Sequence, residues 1–124
     1  MTKALLVRTN GKISEVKIEN LSDMQAGVGG YIEALPIDEN KHGMSIYINE
    51  EGRLEELPIN MTMSIFLVRE DAYPGMEVPI HGDVLICGPT GEEGERTDVG
   101  EDVLSRLPRF WVEPSFEIMS FDPR

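Results

Sequence analysis

The chain contains little cysteine, few basic residues and no long apolar run, and each shortage excludes a class of protein. Cys87 is the one cysteine in 124 residues, so an intrachain disulfide is impossible and a reducing compartment is the natural setting. Neither a signal peptide nor an apolar run of membrane-spanning length is found, so we expect a soluble, cytoplasmic protein without a membrane partner. The length suits one domain over residues 1–124.

Basic residues are outnumbered, with 11 Lys and Arg against 23 Asp and Glu and a formal net charge of −12. Direct nucleic-acid binding is therefore not expected, because it requires cations that replace the counterions of phosphates. Residues 50–102 hold 14 acidic and 3 basic residues, a local balance of 3 − 14 = −11. This acidic region is either a solvated surface or a surface for a basic partner, as in a DNA-mimic inhibitor.

Sequence motifs of known catalytic sites are missing. The glycines at 27, 29 and 30 do not form G-x-G-x-x-G, because position 32 is Ile32, and no phosphate-binding loop or metal-ligand spacing occurs. His42 and His81 are interpreted as structural or incidental. We predict no metal, no cofactor and no enzymatic activity, with a small enzyme of unconventional acid–base residues as the alternative.

Residues 21–35 show the clearest helical period of the chain. Ser22 is a candidate N-cap with Gln25 three residues later, and Pro36 would end the helix. Three glycines inside it would each cost about 1 kcal/mol relative to alanine. The apolar stripe is Leu21, Met24, Val28, Ile32 and Leu35.

Small residues of this predicted helix fall on a second face, away from the apolar stripe. They include Gly27 and Gly30, and Tyr31 and Glu33 flank them. One interpretation is close packing on the protein's own sheet or on a second element. The other is contact with a ligand or with another subunit, and we expect a homo-oligomer.

Other segments predict short strands and one further helix. Asn10-Gly11 indicates a hairpin turn, and a helix is expected from Thr97 or Asp98 through Leu107. Residues 60–69 alternate like a strand, whereas Asn60 as an N-cap would begin a helix. Strands are predicted at residues 3–8, 13–18, 44–49, 53–57, 84–87, 110–112 and around 116–119.

These elements predict a single α+β domain. Its sheet is antiparallel or mixed, with five to seven short strands and two or three helices packed on it. Residues 108–124 are predicted to be a C-terminal strand extension of the same domain.

Arginines and an aromatic residue gather late in the sequence. Arg106, Arg109 and Trp111 suit a phosphate-bearing nucleotide, because guanidinium groups bind phosphate oxygens and indole stacks on a base. The alternative is an ordinary strand whose outward residues are Arg and Trp.

Four sequence stretches together resemble a small bacterial and phage family of unknown function. They are G-G-Y-I-E (29–33), N-E-E-G (49–52), L-P-I-N (57–60) and G-D-V (82–84). The resemblance covers roughly residues 1–107, and it implies that Asn60 begins a helix. It also implies an origin in phages, prophages or bacterial mobile elements.

The expected function is therefore binding without catalysis. We expect a phage or mobile-element accessory protein that acts in the host cytoplasm and counters a host process, such as defence, by sequestering its target. That target is a nucleotide-type signal or a host protein.

Overall fold

The computed structural model describes residues 1–72 and 79–108 with their side chains and residues 116–120 as backbone. Within these ranges the strands are β1 (Thr2–Val7), β2 (Ile13–Ile18), β3 (Ile32–Ala34), β4 (Ser45–Asn49), β5 (Val84–Cys87) and β6 (Phe116–Ser120). The helices are α1 (Leu21–Val28), α2 (Glu39–His42), α3 (Met61–Arg69) and α4 (Glu101–Arg106).

All six strands form one sheet in the order β3-β4-β5-β1-β2-β6. Neighbours among the first five strands are antiparallel, and β6 lies parallel to β2. The predicted α+β fold with a mixed sheet is confirmed. The described helices number four rather than two or three, and the short α2, whose N-cap is Asp38, corresponds to no predicted element.

Helices cover both faces of the sheet. On the α3 face, the buried core includes Leu5 and Ile86 of the sheet and Phe66 of α3. On the α1 face, Leu6 and Leu85 pack with Met24 and Val28 of α1. The alternation of neighbouring residues along β1 and β5 supplies both cores, as strand geometry requires.

Helix α1 ends at Val28, so the predicted helix through Leu35 is wrong. Gly29 adopts φ 79°, and the N–H groups of Gly29 and Gly30 both donate to the carbonyl of Gln25, at 2.8 and 3.1 Å. Glycine takes this left-handed conformation without a steric penalty, and it therefore stops the helix. Residues 32–34 then form β3 on the edge of the sheet.

The predicted N-cap of α1 is also wrong. Asn20, not Ser22, caps the helix, and its Oδ1 accepts a hydrogen bond of 3.0 Å from the Asp23 backbone N–H. Asp23 Oδ2 in turn accepts from the Glu19 N–H at 2.8 Å. The side chains of Asn20 and Asp23 thus accept from two backbone N–H groups at the helix start. The sequence had predicted such a pair at Ser22 and Gln25, two residues further along the chain.

Residues 60–69 form a helix, as the resemblance implied and against the alternating pattern. Asn60 is fully buried, and its Oδ1 accepts from the Met63 N–H at 3.0 Å. Helix α4 begins only at residue 101, because Asp98 and Val99 bond instead to the backbone of Lys3, at 2.8 and 2.9 Å.

Three further predicted strands, at residues 53–57, 110–112 and around 116–119, have different outcomes. Residues 53–57 form turns rather than a return strand, with the Glu55 N–H donating to the Glu51 carbonyl at 2.8 Å and the Glu56 N–H to the Arg53 carbonyl at 3.1 Å. The strand predicted at 110–112 lies outside the described residues. The segment predicted around 116–119 forms β6.

Candidate binding cleft

A cleft of about 500 Å³ lies on the α3 face, between the sheet edge and residues 79–81. We call it the β3 cleft. Apolar residues from both sides line it, namely Leu35, Pro36, Ile48, Pro79 and Ile80. Its charged or titratable residues are Glu33, Glu50, Arg53 and His81. An apolar cavity of this size with a few polar groups is typical of small-molecule sites.

The far wall of the β3 cleft is held in place by a seam between residues 57–60 and 79–82. The Gly82 N–H donates to the Pro58 carbonyl and the Asn60 N–H to the Ile80 carbonyl, both at 2.8 Å. Between these bonds Ile59 and His81 form an antiparallel bridge. The seam gives His81 a defined backbone position.

Asn60 and Ser64 anchor this seam to the core. Asn60 Nδ2 donates to the carbonyls of Val7 and Gly82, at 2.9 and 3.0 Å. Ser64 Oγ donates to the Asn60 carbonyl at 2.8 Å and accepts from the Ile80 N–H at 3.0 Å. The side chain of Asn60 therefore joins β1, α3 and the cleft wall, which gives the L-P-I-N stretch a structural role.

Gly52 allows the loop after β4 to lie directly against the seam. A Cβ at this position would lie 2.8 Å from the His81 carbonyl oxygen, closer than real Cβ atoms approach. The Gly52 N–H donates to the Asn49 carbonyl at 3.1 Å, and the Leu57 N–H donates to the Gly52 carbonyl at 2.9 Å. The N-E-E-G stretch is thus built for a close backbone contact.

The ring of His81 is oriented by a hydrogen bond of 2.7 Å between Nδ1 and the Leu57 carbonyl. Because a carbonyl oxygen only accepts, Nδ1 carries the proton, and in the neutral ring Nε2 is a hydrogen-bond acceptor. The sequence interpretation of His81 as structural or incidental did not indicate its place on the cleft. The two partners lie 24 residues apart, so no local pattern could have indicated it.

Two carboxylates and one guanidinium group complete the polar lining. Glu33 lies on β3 opposite Ile48 of β4, and the Glu50 N–H donates to the Tyr31 carbonyl at 2.8 Å. Both carboxylate side chains and Arg53 are exposed. Among the described residues, the lining therefore combines the carboxylates of Glu33 and Glu50 with the guanidinium group of Arg53, and Asn49 also lines it.

The predicted small-residue face is largely occupied by the protein itself. Gly30 lies beside Asn49, and a Cβ at Gly30 would lie 2.8 Å from Asn49 Nδ2. That amide donates to the Val28 carbonyl at 3.2 Å, and its Oδ1 accepts from the Glu51 N–H at 2.8 Å. Gly27 is buried in α1.

Tyr31 and Glu33 border different pockets. Tyr31 is 68% exposed and borders a shallow pocket of about 360 Å³ together with Gly30 and Glu51. Glu33, by contrast, lines the β3 cleft. The structure therefore separates these two predicted site residues.

Arg106 is engaged in holding helices together. Its NH1 contacts Glu70 Oε1 at 2.8 Å and its NH2 donates to the His42 carbonyl at 3.0 Å. These bonds tie α4 to α2 and to the end of α3. Arg106 is thus not brought to the β3 cleft, and Arg109 and Trp111 lie outside the described residues.

Cys87 is a buried free thiol in β5. Burial raises the pKa of the Cys87 thiol from 9.0 to about 11; the nearby Arg96 lowers it and Asp98 raises it. At neutral pH the thiol is protonated and shielded. Among the described residues no group of three or more His, Cys, Asp or Glu side chains could hold a metal ion, and no helix has the length and apolarity to span a membrane.

The acidic region of residues 50–102 is divided by the sheet. Glu50 and Glu51 follow the last residue of β4, whereas residues 88–98 begin beside Ser45 at its other end, because Ser45 pairs with Cys87. A strand of this length separates the two loops by about 15 Å. The fold therefore places the two acidic loops at opposite ends of the sheet.

One family profile, described as a domain of unknown function (DUF3846), matches residues 1–111. The chain belongs to the DUF3846 family. The expected membership of a small family of unknown function is confirmed. Searches of curated proteins and of solved structures found no match to this DUF3846 chain. The family match contains the whole β3 cleft and ends before β6.

Proposed function

We propose that this protein is a non-enzymatic accessory protein of a phage or mobile element that sequesters a small, nucleotide-type signal of the host in the β3 cleft. The observation that carries the proposal is the cleft itself, a preformed cavity whose far wall is fixed by Asn60 and the seam. The phage origin and the role against a host process rest on the sequence resemblance.

The dimensions and lining of the cleft support a nucleotide-type ligand. Its volume of about 500 Å³ lies within the range of small-molecule sites. Leu35, Ile48 and Ile80 provide an apolar surface for a base, and Arg53 provides a cation for a phosphate. This site differs from the one predicted at Arg106, Arg109 and Trp111, of which Arg106 pairs with Glu70.

A DNA-mimic function is less well supported. A mimic presents its negative charges as one continuous surface, whereas the two acidic loops lie at opposite ends of β4. Homo-oligomerisation and a host protein as the target remain proposals that the cleft does not require.

The experiment is a thermal-shift and calorimetric screen with nucleoside monophosphates, diphosphates and cyclic nucleotides. Glu33 is exposed on β3, pairs with Ile48 and lines the cleft, so Glu33→Trp would fill the cleft on a strand that tolerates aromatic residues. Ala26 is exposed on α1, outside the cleft, and Ala26→Trp is the matched control.

We expect at least one nucleotide to raise the melting temperature of the native protein and of Ala26→Trp but not of Glu33→Trp. Recovered nucleotide should be chemically unchanged after prolonged incubation, since sequestration involves no reaction. Stabilisation that survives Glu33→Trp, or no stabilisation by any nucleotide, would contradict the proposal. Conversion of the nucleotide would favour an enzyme instead.

A further inference from the structure

Strand β3 is an edge strand of the sheet, and it pairs with β4 alone among the described strands. The Leu35 N–H donates to the Ile46 carbonyl at 2.9 Å, and an antiparallel pair of strands bonds at every second residue. The N–H and carbonyl groups of Ile32 and Ala34 therefore point outward from the edge. Within the described ranges, no group forms a hydrogen bond with them on that side. The edge thus offers a short row of backbone donors and acceptors to a further strand.

We infer that β3 binds an extended, basic segment of a partner protein, which adds to the sheet as a further strand. Backbone hydrogen bonds to Ile32 and Ala34 hold the segment, and the side chain that it places opposite Glu33 selects it. The inference goes beyond the proposed nucleotide function and does not rest on it, because the added strand lies along the edge of the sheet. No ligand in the cavity is needed for this contact.

Glu33 sets the charge of the segment that fits. It is the middle residue of β3, and its side chain is exposed and lines the β3 cleft. A residue directly opposite Glu33 in an added strand has its Cβ about 5 Å from that of Glu33, on the same face of the sheet. The loop after β4 adds negative charge nearby, because residues 50–56 hold four glutamates and one arginine and Glu50 also lines the cleft. A lysine or arginine opposite Glu33 is therefore attracted, and an acidic residue is repelled.

The same geometry disfavours a second copy of this chain at the edge. The twofold register that uses both outward residues of both copies pairs Ile32 of one copy with Ala34 of the other. It also places the two Glu33 residues directly opposite each other, and like charges in that position destabilise strand pairing. Each copy carries a formal net charge of −12, which adds to the repulsion. The occupant that fits is therefore a segment of opposite charge.

The neighbours of the basic residue in the added strand lie on the other face of the sheet. Side chains alternate along a strand, so these neighbours stand beside Ile32 and Ala34. Ile32 packs against the core of the α1 face, and apolar β-branched residues suit a position next to it. The segment that fits consequently has a basic residue between two apolar ones.

The test is calorimetric titration with three peptides of the form acetyl-Thr-Val-X-Val-Thr-amide, in which X is lysine, alanine or glutamate. Glu33→Lys reverses the charge on β3. Glu92→Lys is the matched control, because Glu92 is exposed in the acidic loop of residues 88–98 at the other end of the sheet. Ala34→Pro removes one outward N–H, a change that edge strands tolerate. Circular dichroism checks that each variant is folded.

The lysine peptide should bind the native protein and Glu92→Lys at least tenfold more tightly than the glutamate peptide does. Glu33→Lys should reverse this order, and Ala34→Pro should weaken binding of the lysine peptide tenfold or more. In NMR spectra of the native protein, saturating lysine peptide should slow solvent exchange of the Ile32 and Ala34 amides at least tenfold.

Three results overturn the inference. They are no binding of the lysine peptide, an unchanged order of the peptides in Glu33→Lys, and binding without slower exchange of the Ile32 and Ala34 amides. The amide exchange decides the question even if Ala34→Pro does not fold. A dimer of the native protein that Ala34→Pro dissociates in sedimentation experiments would mean that a second copy occupies the edge, which also overturns the inference.

The two proposals fail separately, because the peptide titrations contain no nucleotide. Peptide binding without binding of any nucleotide leaves strand addition standing and the nucleotide proposal wrong. Nucleotide binding without peptide binding has the opposite meaning.

Discussion

The two sides of β3 show how differently one short edge strand can be used. On the α1 face, the side chain of Asn49 fills the space beside Gly30 and bonds to the Val28 carbonyl. On the α3 face, Leu35 and Ile48 are left beside an open cleft. The glycines that drew attention in the sequence thus mark a closed contact, and the cavity lies on the other side of the strand.

The α1 side of β3 is filled and the α3 side is open because different parts of the chain lie opposite β3 on the two faces. On the α1 face, the chain leaves the helix through Gly29 and passes directly into β3, so Asn49 of the neighbouring strand reaches the gap. On the α3 face, the wall opposite is the seam, which Asn60 holds to β1. Small residues permit close approach, whereas a cavity needs a second wall that is supported elsewhere.

The largest expected effect comes from removing that support. Asn60→Ala would leave the buried carbonyls of Val7 and Gly82 without donors and remove the cap of α3. We expect the free energy of unfolding in urea to fall by about 3–5 kcal/mol. Asn40→Ala, at an exposed position of α2, is the control and should change it by less than about 1 kcal/mol. A loss for Asn60→Ala no larger than the control would show that the α3 face does not depend on Asn60.

The second largest expected effect is a loss of stability at high pH, caused by the Cys87 thiol in the core of the α1 face. The pKa of the Cys87 thiol is about 11 in the folded protein against an ordinary value of 9.0, so the folded state holds this proton more tightly. Stability is unaffected below pH 9 and falls as the pH rises from 9 to 11, by about 2–3 kcal/mol in total.

Cys87→Ala isolates this contribution, because other groups titrate equally in both proteins. The difference in unfolding free energy between native protein and variant should shrink by that amount between pH 8 and pH 11. A difference that stays constant over this range would mean that Cys87 titrates normally and that the α1-face core is open to water.

The smallest effect concerns the contact that closes the α1 side of β3. Gly30→Ala would place a Cβ against Asn49 Nδ2 and should lower stability by about 1–2 kcal/mol. In an Asn49→Ala background that neighbour is gone, so the same substitution should cost less by about 1 kcal/mol. A double-mutant cycle measured by urea unfolding gives this coupling. Additive effects would show that Asn49 does not fill the gap.

Much of the fold could be predicted because the deciding interactions are local. The Asn10-Gly11 turn, with Gly11 at φ 88°, sets the β1–β2 hairpin, and Gly82 and Gly88 bound the buried strand β5. The sequence prediction extended helix α1 too far, because Ile32 and Leu35 continue the helical spacing of its apolar residues by coincidence. The α1 and α3 faces of the sheet bury these two residues separately, which no helical period describes.

Sequence alone determined the α+β class and the β1–β2 hairpin, since a tight turn depends on a few neighbouring residues. The tertiary structure alone decided that Gly30 is closed off by Asn49, that Arg106 pairs with Glu70, and that His81 lies on the cleft. Each of these contacts joins residues at least 19 positions apart, and only the packing of the sheet against its helices brings them together.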